Sequence, residues 1–391
     1  MIPNQWYAIL RSEDVGNKRP VSARRMGMEL VVWRDTSGQV ICQSARCPHK
    51  GANLADGRLR GDTIGCPYHD FRFNKDGDCT LAPCLGTNGR IPKSMKIDNY
   101  PVREQNDLIW MWWGEERDVL PEVQVPPEVA GHPSLYATGA WSQPVHYTRY
   151  IESLLDFYHV PVVHRDHWFN VFDYVGWSGT PKKLGLDGRR RYLAMTMVEN
   201  SRLETDGTTL RHYFNLSGEG DPTNSAPMKV TFTFPGMVHI HTEPFDVTIW
   251  MTPIDDDNTQ VLFRWYEEAK LAPILRSEKL RRIMPKLALF AQKRVQEVQD
   301  MNVVTRIEPR VSGRGVNRFV AVDELNAKYV QMRDKLKKEA GVPVDDLPAD
   351  DEAAPGGNGD GAGHANGNGN GAGNGKGTAR RGGKSRASAG A

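Results

Sequence analysis

Residues 47–69 read CPHKGANLADGRLRGDTIGCPYH. Cys47 and His49 form a C-x-H pair, Cys66 and His69 form a C-x-x-H pair, and sixteen residues separate the two. Pro48 and Pro67 stiffen the two short loops, while Gly51, Gly57, Gly61 and Gly65 permit tight turns between them. Two thiolates and two neutral imidazoles suit a two-iron, two-sulfide cluster in which a pair of histidines replaces a pair of cysteines on one iron. The same atoms would suit a Cys₂His₂ zinc site. Zinc fingers, however, pair Cys with Cys and His with His. Here each pair mixes one of each, which favours a cluster gripped from opposite sides.

A second constellation lies in ESLLDFYHVPVVH, where Asp156, His159 and His164 stand as D-x-x-H-x-x-x-x-H. On a helix, His159 would lie one turn after Asp156 and on its face. Pro161 would then distort or end the helix and bring His164 back toward His159. Two imidazoles with one carboxylate make the facial triad of a non-haem Fe(II) site, with positions left open for O₂. Taken alone, two such histidines could be a satisfied structural pair. A metal-ligand motif upstream in the same chain favours ligation.

Together the motifs resemble those of the Rieske non-haem iron oxygenases, in the terminal oxygenase (alpha) subunit. The first stretch matches C-x-H-x(15–17)-C-x-x-H, and GDCTLAP followed by IPKSMKIDNYPVREQNDLIWMWW extends the likeness. Respiratory Rieske proteins carry an extra Cys in each loop, but the corresponding positions here hold Ala52 and Tyr68, so no disulfide staple is available. Where the oxygenases commonly follow the last ligand with Gly-Trp, this chain has Asp70-Phe71. A charged Asp70 beside a cluster would lower its potential.

The resemblance implies that Cys47, His49, Cys66 and His69 hold a [2Fe–2S] cluster and that His159 and His164 bind a mononuclear iron. It gives Asp156 the role of a hydrogen-bonded bridge to His69 of a neighbouring protomer, not that of a ligand. The third ligand then comes from a late helix. Asp300 follows Gln299 and lies 136 residues after His164; Glu297, one helical turn earlier, is the rival. Ser153 departs from the Asn that relatives often have there.

The chain has 391 residues, a formal net charge of +2, 39% hydrophobic and 25% charged residues. This implies no strong field for nucleic acid, and no apolar run reaches the length of a membrane span. MIPNQWYAIL lacks a basic start followed by an apolar signal core, so a cytoplasmic protein is expected. Of five cysteines, Cys42, Cys79 and Cys84 remain outside the motif and are expected as reduced thiols, the last two as small apolar fillers.

The predicted fold is α+β. Residues 1–118 read as an antiparallel β domain with strands at WYAIL, ELVVW, QVICQ and LIWMWW, the last closing the domain core. A Pro-rich linker spans 119–135. A catalytic domain at 136–341 combines a twisted antiparallel sheet (189–200, 208–216, 228–234, 237–243, 245–253 and 259–268) with flanking helices near 150–165, 277–305 and 323–339. In KVTFTF the alternation of Val230, Phe232 and Phe234 with Lys229, Thr231 and Thr233 implies one buried face. Pro285 should kink or split its helix. Residues 342–391, rich in Gly and Asn, cannot form a packed core and read as a disordered tail.

The resemblance implies a homotrimeric oxygenase, fed by a ferredoxin or a flavin NAD(P)H-dependent reductase, that hydroxylates or demethylates a small apolar or aromatic substrate. Phe157, Tyr158, Val160, Phe169 and Phe232 are the expected lining of its pocket. The competing class is a Rieske-type electron carrier without oxygenase activity.

Overall fold

A computed structural model describes residues 1–86, 89–132, 134–163, 195–218, 221–242, 245–266, 278–313 and 317–344. Residues 1–347 form one compact unit; His164, Phe169 and nearly all of the expected tail lie outside the described residues.

The N-terminal strands are β1 (Gln5–Arg11), β2 (Val21–Arg25), β3 (Met28–Arg34), β4 (Val40–Ser44), β5 (Arg58–Leu59), β6 (Thr63–Gly65), β7 (Arg72–Asn74), β8 (Cys79–Leu81), β9 (Asn99–Tyr100), β10 (Val102–Gln105) and β11 (Leu108–Trp113). They pair antiparallel in the orders β1-β11-β10, β2-β3-β4-β9 and β5-β6-β7-β8. The apolar run of β3 is continuous because both its faces are buried. Leu30 and Val32 pack with Tyr7, Ile9 and Met111, while Val31 and Trp33 pack beneath the cluster loops with Cys47, Leu54, Cys66 and Phe73.

Strand β11 is two-faced as well, which corrects the expectation that LIWMWW only closes the N-terminal core. Ile109 and Met111 enter that core. Leu108, Trp110 and Trp112 turn the other way and pack with Met237, Trp250 and Leu262 of the next sheet.

That sheet contains β12 (Tyr136–Gln143), followed in the chain by helices α1 (Tyr147–Leu155) and α2 (Val160–Val163) and then by β13 (Met195–Asp206), β14 (Thr209–Gly218), β15 (Asp221–Thr233), β16 (Met237–Thr242), β17 (Phe245–Pro253) and β18 (Thr259–Tyr266). Its antiparallel order is β12-β18-β17-β16-β15-β14-β13. Strand β12 was not anticipated, since YATGAWSQ carries little β signal. It is held by full-length pairing with β18, from Tyr136 opposite Tyr266 to Gln143 opposite Thr259.

Val230 and Phe232 face the main core, as the alternation predicts. Their polar neighbours Thr231 and Thr233 are also buried, which corrects the one-sided picture. The irregular linker covers them: Glu128 accepts a 2.8 Å hydrogen bond from Thr231 Oγ1 and sits 3.4 Å from Arg211 and 3.5 Å from Lys229.

After the sheet come α3 (Glu278–Val295), a π-helical turn (Gln296–Asp300), α4 (Met301–Val304) and α5 (Glu324–Glu339). Helix α3 continues through Pro285, so the expected split is absent; the irregularity comes at Gln296. No helix among the described residues is long and apolar enough to cross a membrane.

Candidate metal centres

The two cluster loops share one plan. In the first, Cys47 N–H donates to Ala52 O (2.9 Å) and Gly51 N–H donates to Cys47 O (2.9 Å). In the second, Cys66 N–H donates to Phe71 O (2.8 Å) and Asp70 N–H donates to Cys66 O (3.0 Å). Both plans need a left-handed residue four places after the cysteine, and φ is +75° at Gly51 and +51° at Asp70. Glycine fits that conformation without strain, and Asp is among the few other residues that visit it. Asp70 therefore stands in a glycine position. Its carboxylate accepts from Arg72 Nη2 at 2.8 Å, so a neighbouring cation offsets the charge expected beside the cluster.

The loops bring all four predicted ligands to one end of the domain. Cys47 and Cys66 are buried, at 1% and 4% exposure. His49 is exposed and His69 half-buried. The two imidazoles lie 4.8 Å apart between ring centroids, with Phe71 4.8 Å from His49 and Tyr68 3.9 Å from His69. Sulfur is thus innermost and imidazole outermost, as a cluster with one Cys₂ iron and one His₂ iron needs.

The chemistry of the donors fits that group. His69 Nδ1 is buried and has no hydrogen-bond partner among the described residues, which leaves it available to a metal. Burial, reinforced by its neighbours His49 and Lys50, lowers the His69 pKa and so favours the neutral imidazole. Burial and the nearby Cys66 thiol push the Cys47 thiol up to about 11; an iron would be required to hold it as thiolate. Among the described residues no three His, Cys, Asp or Glu side chains converge as one metal ion would require.

Of the other cysteines, Cys42 is a core filler, buried beside Met111. Cys79 is half-buried, but Cys84 is exposed and fills nothing, contrary to expectation.

The second centre lies where α1 ends. The helix stops at Leu155, and Asp156 caps it in an extended conformation (φ −94°, ψ 117°). Asp156 and His159 therefore do not share a helix face, which corrects the one-turn argument. Asp156 Oδ1 accepts from Tyr158 N–H at 2.8 Å, an Asx turn that breaks the helix before Pro161 does. Pro161 instead sits in the first turn of α2, where its missing N–H costs nothing.

This turn presents His159 to the late helix. His159 Nε2 lies 3.7 Å from Asp300 Oδ1. Both line a cavity of about 450 Å³, with Asp156, Val163, Val304 and Asn326. The rival acid Glu297 is directed elsewhere, 3.5 Å from Lys293 and 4.0 Å from Arg294. The π turn separates them. Met301 N–H bonds to Gln296 O, five residues back, and the wider turn spreads residues 297 and 300 that an α-helix would align. An imidazole and a carboxylate in close approach are two of the three ligands of a facial triad, so the described residues fit the metal. The third predicted ligand, His164, lies outside the described residues.

The described members of the predicted substrate lining do not surround this cavity, and Phe169 lies outside the described residues. Phe232 is fully buried against Phe234 and Tyr329, Phe157 packs on Phe214, and Tyr158 accepts from Val198 N–H at 3.1 Å. With Val160, these residues form none of its walls. Its walls combine apolar Val303, Val304, Ile307 and Phe319 with Arg149, Glu152 and Asn317, which belong to a polar network that motif and periodicity do not reveal. Glu152 accepts from Arg149 (2.9 Å), from Asn317 (2.8 Å) and from Ser312 Oγ. Arg149 also donates to Pro309 O at 2.8 Å, tying α1 to the segment after α4. Only the apolar spacing of α1 hints that Arg149 and Glu152 point inward.

Residues 5–101 match the Rieske [2Fe-2S] domain family. The N-terminal domain is a Rieske domain. "Protein TIC 55, chloroplastic" of Pisum sativum is 28% identical over 233 residues, 54% of this chain and 42% of that protein. The oxygenase component of 3-ketosteroid-9-alpha-monooxygenase from Rhodococcus rhodochrous is 31% identical over 181 residues, 43% of this chain and 46% of that one. The chain thus matches less than half the length of these curated relatives. Among solved structures, dicamba monooxygenase bound to 3,6-dichlorosalicylic acid superposes with a TM-score of 0.66 at 18% identity, covering 88% of this chain and 99% of that one. Several relatives and structural neighbours are named oxygenases or monooxygenases, so the resemblance read from the motifs holds, and the fold likeness extends beyond the Rieske domain.

Proposed function

We propose that this chain is the terminal oxygenase component of a multi-component oxidoreductase. The observation that carries the proposal is the co-occurrence, on one chain, of Rieske loops and of a separate cavity where His159 and Asp300 approach to 3.7 Å. In this proposal residues 1–118 form the Rieske domain, 119–135 the linker, 136–341 the catalytic domain and 342–391 an unstructured tail. Cys47, His49, Cys66 and His69 hold the cluster; His159, His164 and Asp300 hold a mononuclear Fe(II). With both groups bound, electrons entering at the cluster would allow O₂ to be activated at the iron.

The protein's own part is placement. Buried Cys47 and Cys66 fix the inner end of the cluster, while His49 and His69 present its outer end to the surface. The Asx turn at Asp156 sets His159, and the π turn sets Asp300. The free Oδ2 of Asp156 serves as an acceptor between imidazoles, as the bridge to His69 of a neighbouring protomer. Exposed Tyr68, Leu81 and Leu85 near the cluster, and exposed Val303, Ile307, Phe319 and Val320 around the cavity, support a head-to-tail homotrimer in which these patches meet. Electrons would come from a ferredoxin or a flavin NAD(P)H-dependent reductase. Relatives named for a 3-ketosteroid substrate and for toluene-4-sulfonate support a ring-bearing, largely apolar substrate, hydroxylated or oxidatively demethylated.

Metal analysis tests the proposal. Three irons per chain are expected in the wild type and two in Asp300→Ala, with the Rieske paramagnetic signal unchanged. Two irons per chain in both proteins would make the chain an electron carrier instead.

A further inference from the structure

Two helical elements that carry the mononuclear site, α1 and the π turn, are joined by one buried hydrogen bond. Tyr150 Oη donates to Gln296 Oε1 at 2.9 Å, and both residues are 1% exposed. Tyr150 stands on the helix that ends at Asp156. Gln296 opens the turn that ends at Asp300. Burial, reinforced by the Asp300 carboxylate, pushes the Tyr150 hydroxyl well up, so it remains a donor at any working pH.

A π turn is a rare single-turn insertion in an α-helix, found mostly at functional sites. Here its first residue is buried with its side-chain oxygen committed to Tyr150. Relaxation to α-helical spacing would remove the extra residue from the turn and rotate the residues beyond it by roughly 100°. Asp300 would swing away from His159, and Glu297 and Asp300 would return toward one face.

We infer that Tyr150 is a positioning residue for the mononuclear metal: its hydrogen bond to Gln296 holds the π turn that aims Asp300 at His159. This rests on the proposed iron site and adds a residue outside the motifs that supply its ligands. The spacing of the chain disguises it, because Tyr150 and Gln296 are 146 residues apart.

The test uses the full chain with its Rieske cluster in place and the mononuclear site emptied by chelator. Co(II) serves as the probe, titrated by its ligand-field absorption. Wild type should bind one equivalent and Asp300→Ala essentially none. Tyr150→Phe and Gln296→Met should each weaken binding about five- to tenfold, the usual consequence of losing one buried hydrogen bond. The double variant should bind no more weakly than the weaker single one, because both remove the same bond. The Rieske signal should be unchanged throughout.

If Tyr150→Phe binds Co(II) within twofold of wild type, whatever its melting temperature, the positioning role is wrong and the iron site still stands. Multiplying losses in the double variant would overturn it equally. If Tyr150→Phe does not fold, wild-type affinity in Gln296→Met overturns it alone. Wild-type binding in Asp300→Ala would instead remove the iron site itself.

Discussion

Replacing Asp156 by Asn separates a bridge from a ligand, and the structure makes the substitution unusually clean. Asp156 uses Oδ1 to accept Tyr158 N–H at 2.8 Å, and its own N–H donates to Glu152 O at 3.1 Å. Asparagine retains both bonds, because its amide oxygen takes the place of Oδ1. Stability should therefore change by less than about 0.5 kcal/mol. Alanine would forfeit the side-chain bond and cost about 1 kcal/mol. Asparagine removes only the negative charge and one acceptor facing the cavity.

If that acceptor joins an imidazole of each centre, its loss forfeits charge-assisted bonds worth about 1.5–3 kcal/mol each. Loss of such an outer partner typically costs about 10–100-fold. Both metals should stay bound, and the cluster should still accept electrons. The rate at which reduced cluster is reoxidised in a single turnover should fall by at least about tenfold. Asp300→Ala should contrast with this by losing the mononuclear iron and keeping the cluster. The assay is iron per chain plus stopped-flow reoxidation in both variants. Reoxidation of Asp156→Asn at the wild-type rate would rule out the bridge. Loss of mononuclear iron from Asp156→Asn, with retention in Asp300→Ala, would mean the two carboxylates have exchanged roles.

Asp70→Gly should relieve left-handed strain of about 1–2 kcal/mol and lose a partly exposed ion pair worth under about 1 kcal/mol. The melting temperature should not fall, while the cluster's midpoint potential, read by spectroelectrochemistry, rises with the loss of a carboxylate. Gly77→Ala should be severe, because φ is +81° there and a Cβ would sit 2.1 Å from Ile97 O; we expect a loss of about 3 kcal/mol in denaturant titration, with reduced cluster content. At Asp246, burial pushes the carboxyl up, but hydrogen bonds with His132 and His241, 3.1 Å each, outweigh it and hold the pKa at about 2 against the ordinary 3.8. A depressed carboxyl stabilises above its unfolded pKa. About 2 kcal/mol should be present at pH 5 and lost as pH falls through 2, and Asp246→Asn should flatten that slope in acid unfolding.

The cluster site was legible because its information is local. Each loop is specified within five residues, by ligand type, a proline and a left-handed position, so motif and geometry coincide. The strands of the second domain were legible where alternation is strong, as at Val230 and Phe232. Strand β12 was not, because Gly139 and its small neighbours are held by pairing with β18 and by no preference of their own. LIWMWW shows burial without naming its partner, and Trp110 and Trp112 face another sheet. At the proposed iron site the sequence marks candidate residue types, but the backbone that carries them was not legible. Asp156 caps its own helix through a side-chain bond that helical periodicity cannot register.

The two centres also differ in what holds them, which bears on how each can change. The proposed cluster ligands hang on hydrogen bonds spanning four or five residues, so substitutions elsewhere reach them mainly through the core beneath β3. The proposed mononuclear site is assembled from segments about 140 to 170 residues apart, joined by Tyr150 to Gln296 and by Glu152 to Ser312 and Asn317. The Tyr150–Gln296 and Ser312–Glu152 bonds are buried and the Asn317–Glu152 bond is part-buried, so a single unmatched replacement leaves a partner unsatisfied. None of these residues belongs to the motifs that supply the proposed ligands. Altered iron affinity can therefore arise at positions that no ligand motif would single out, while the Rieske motif stays intact.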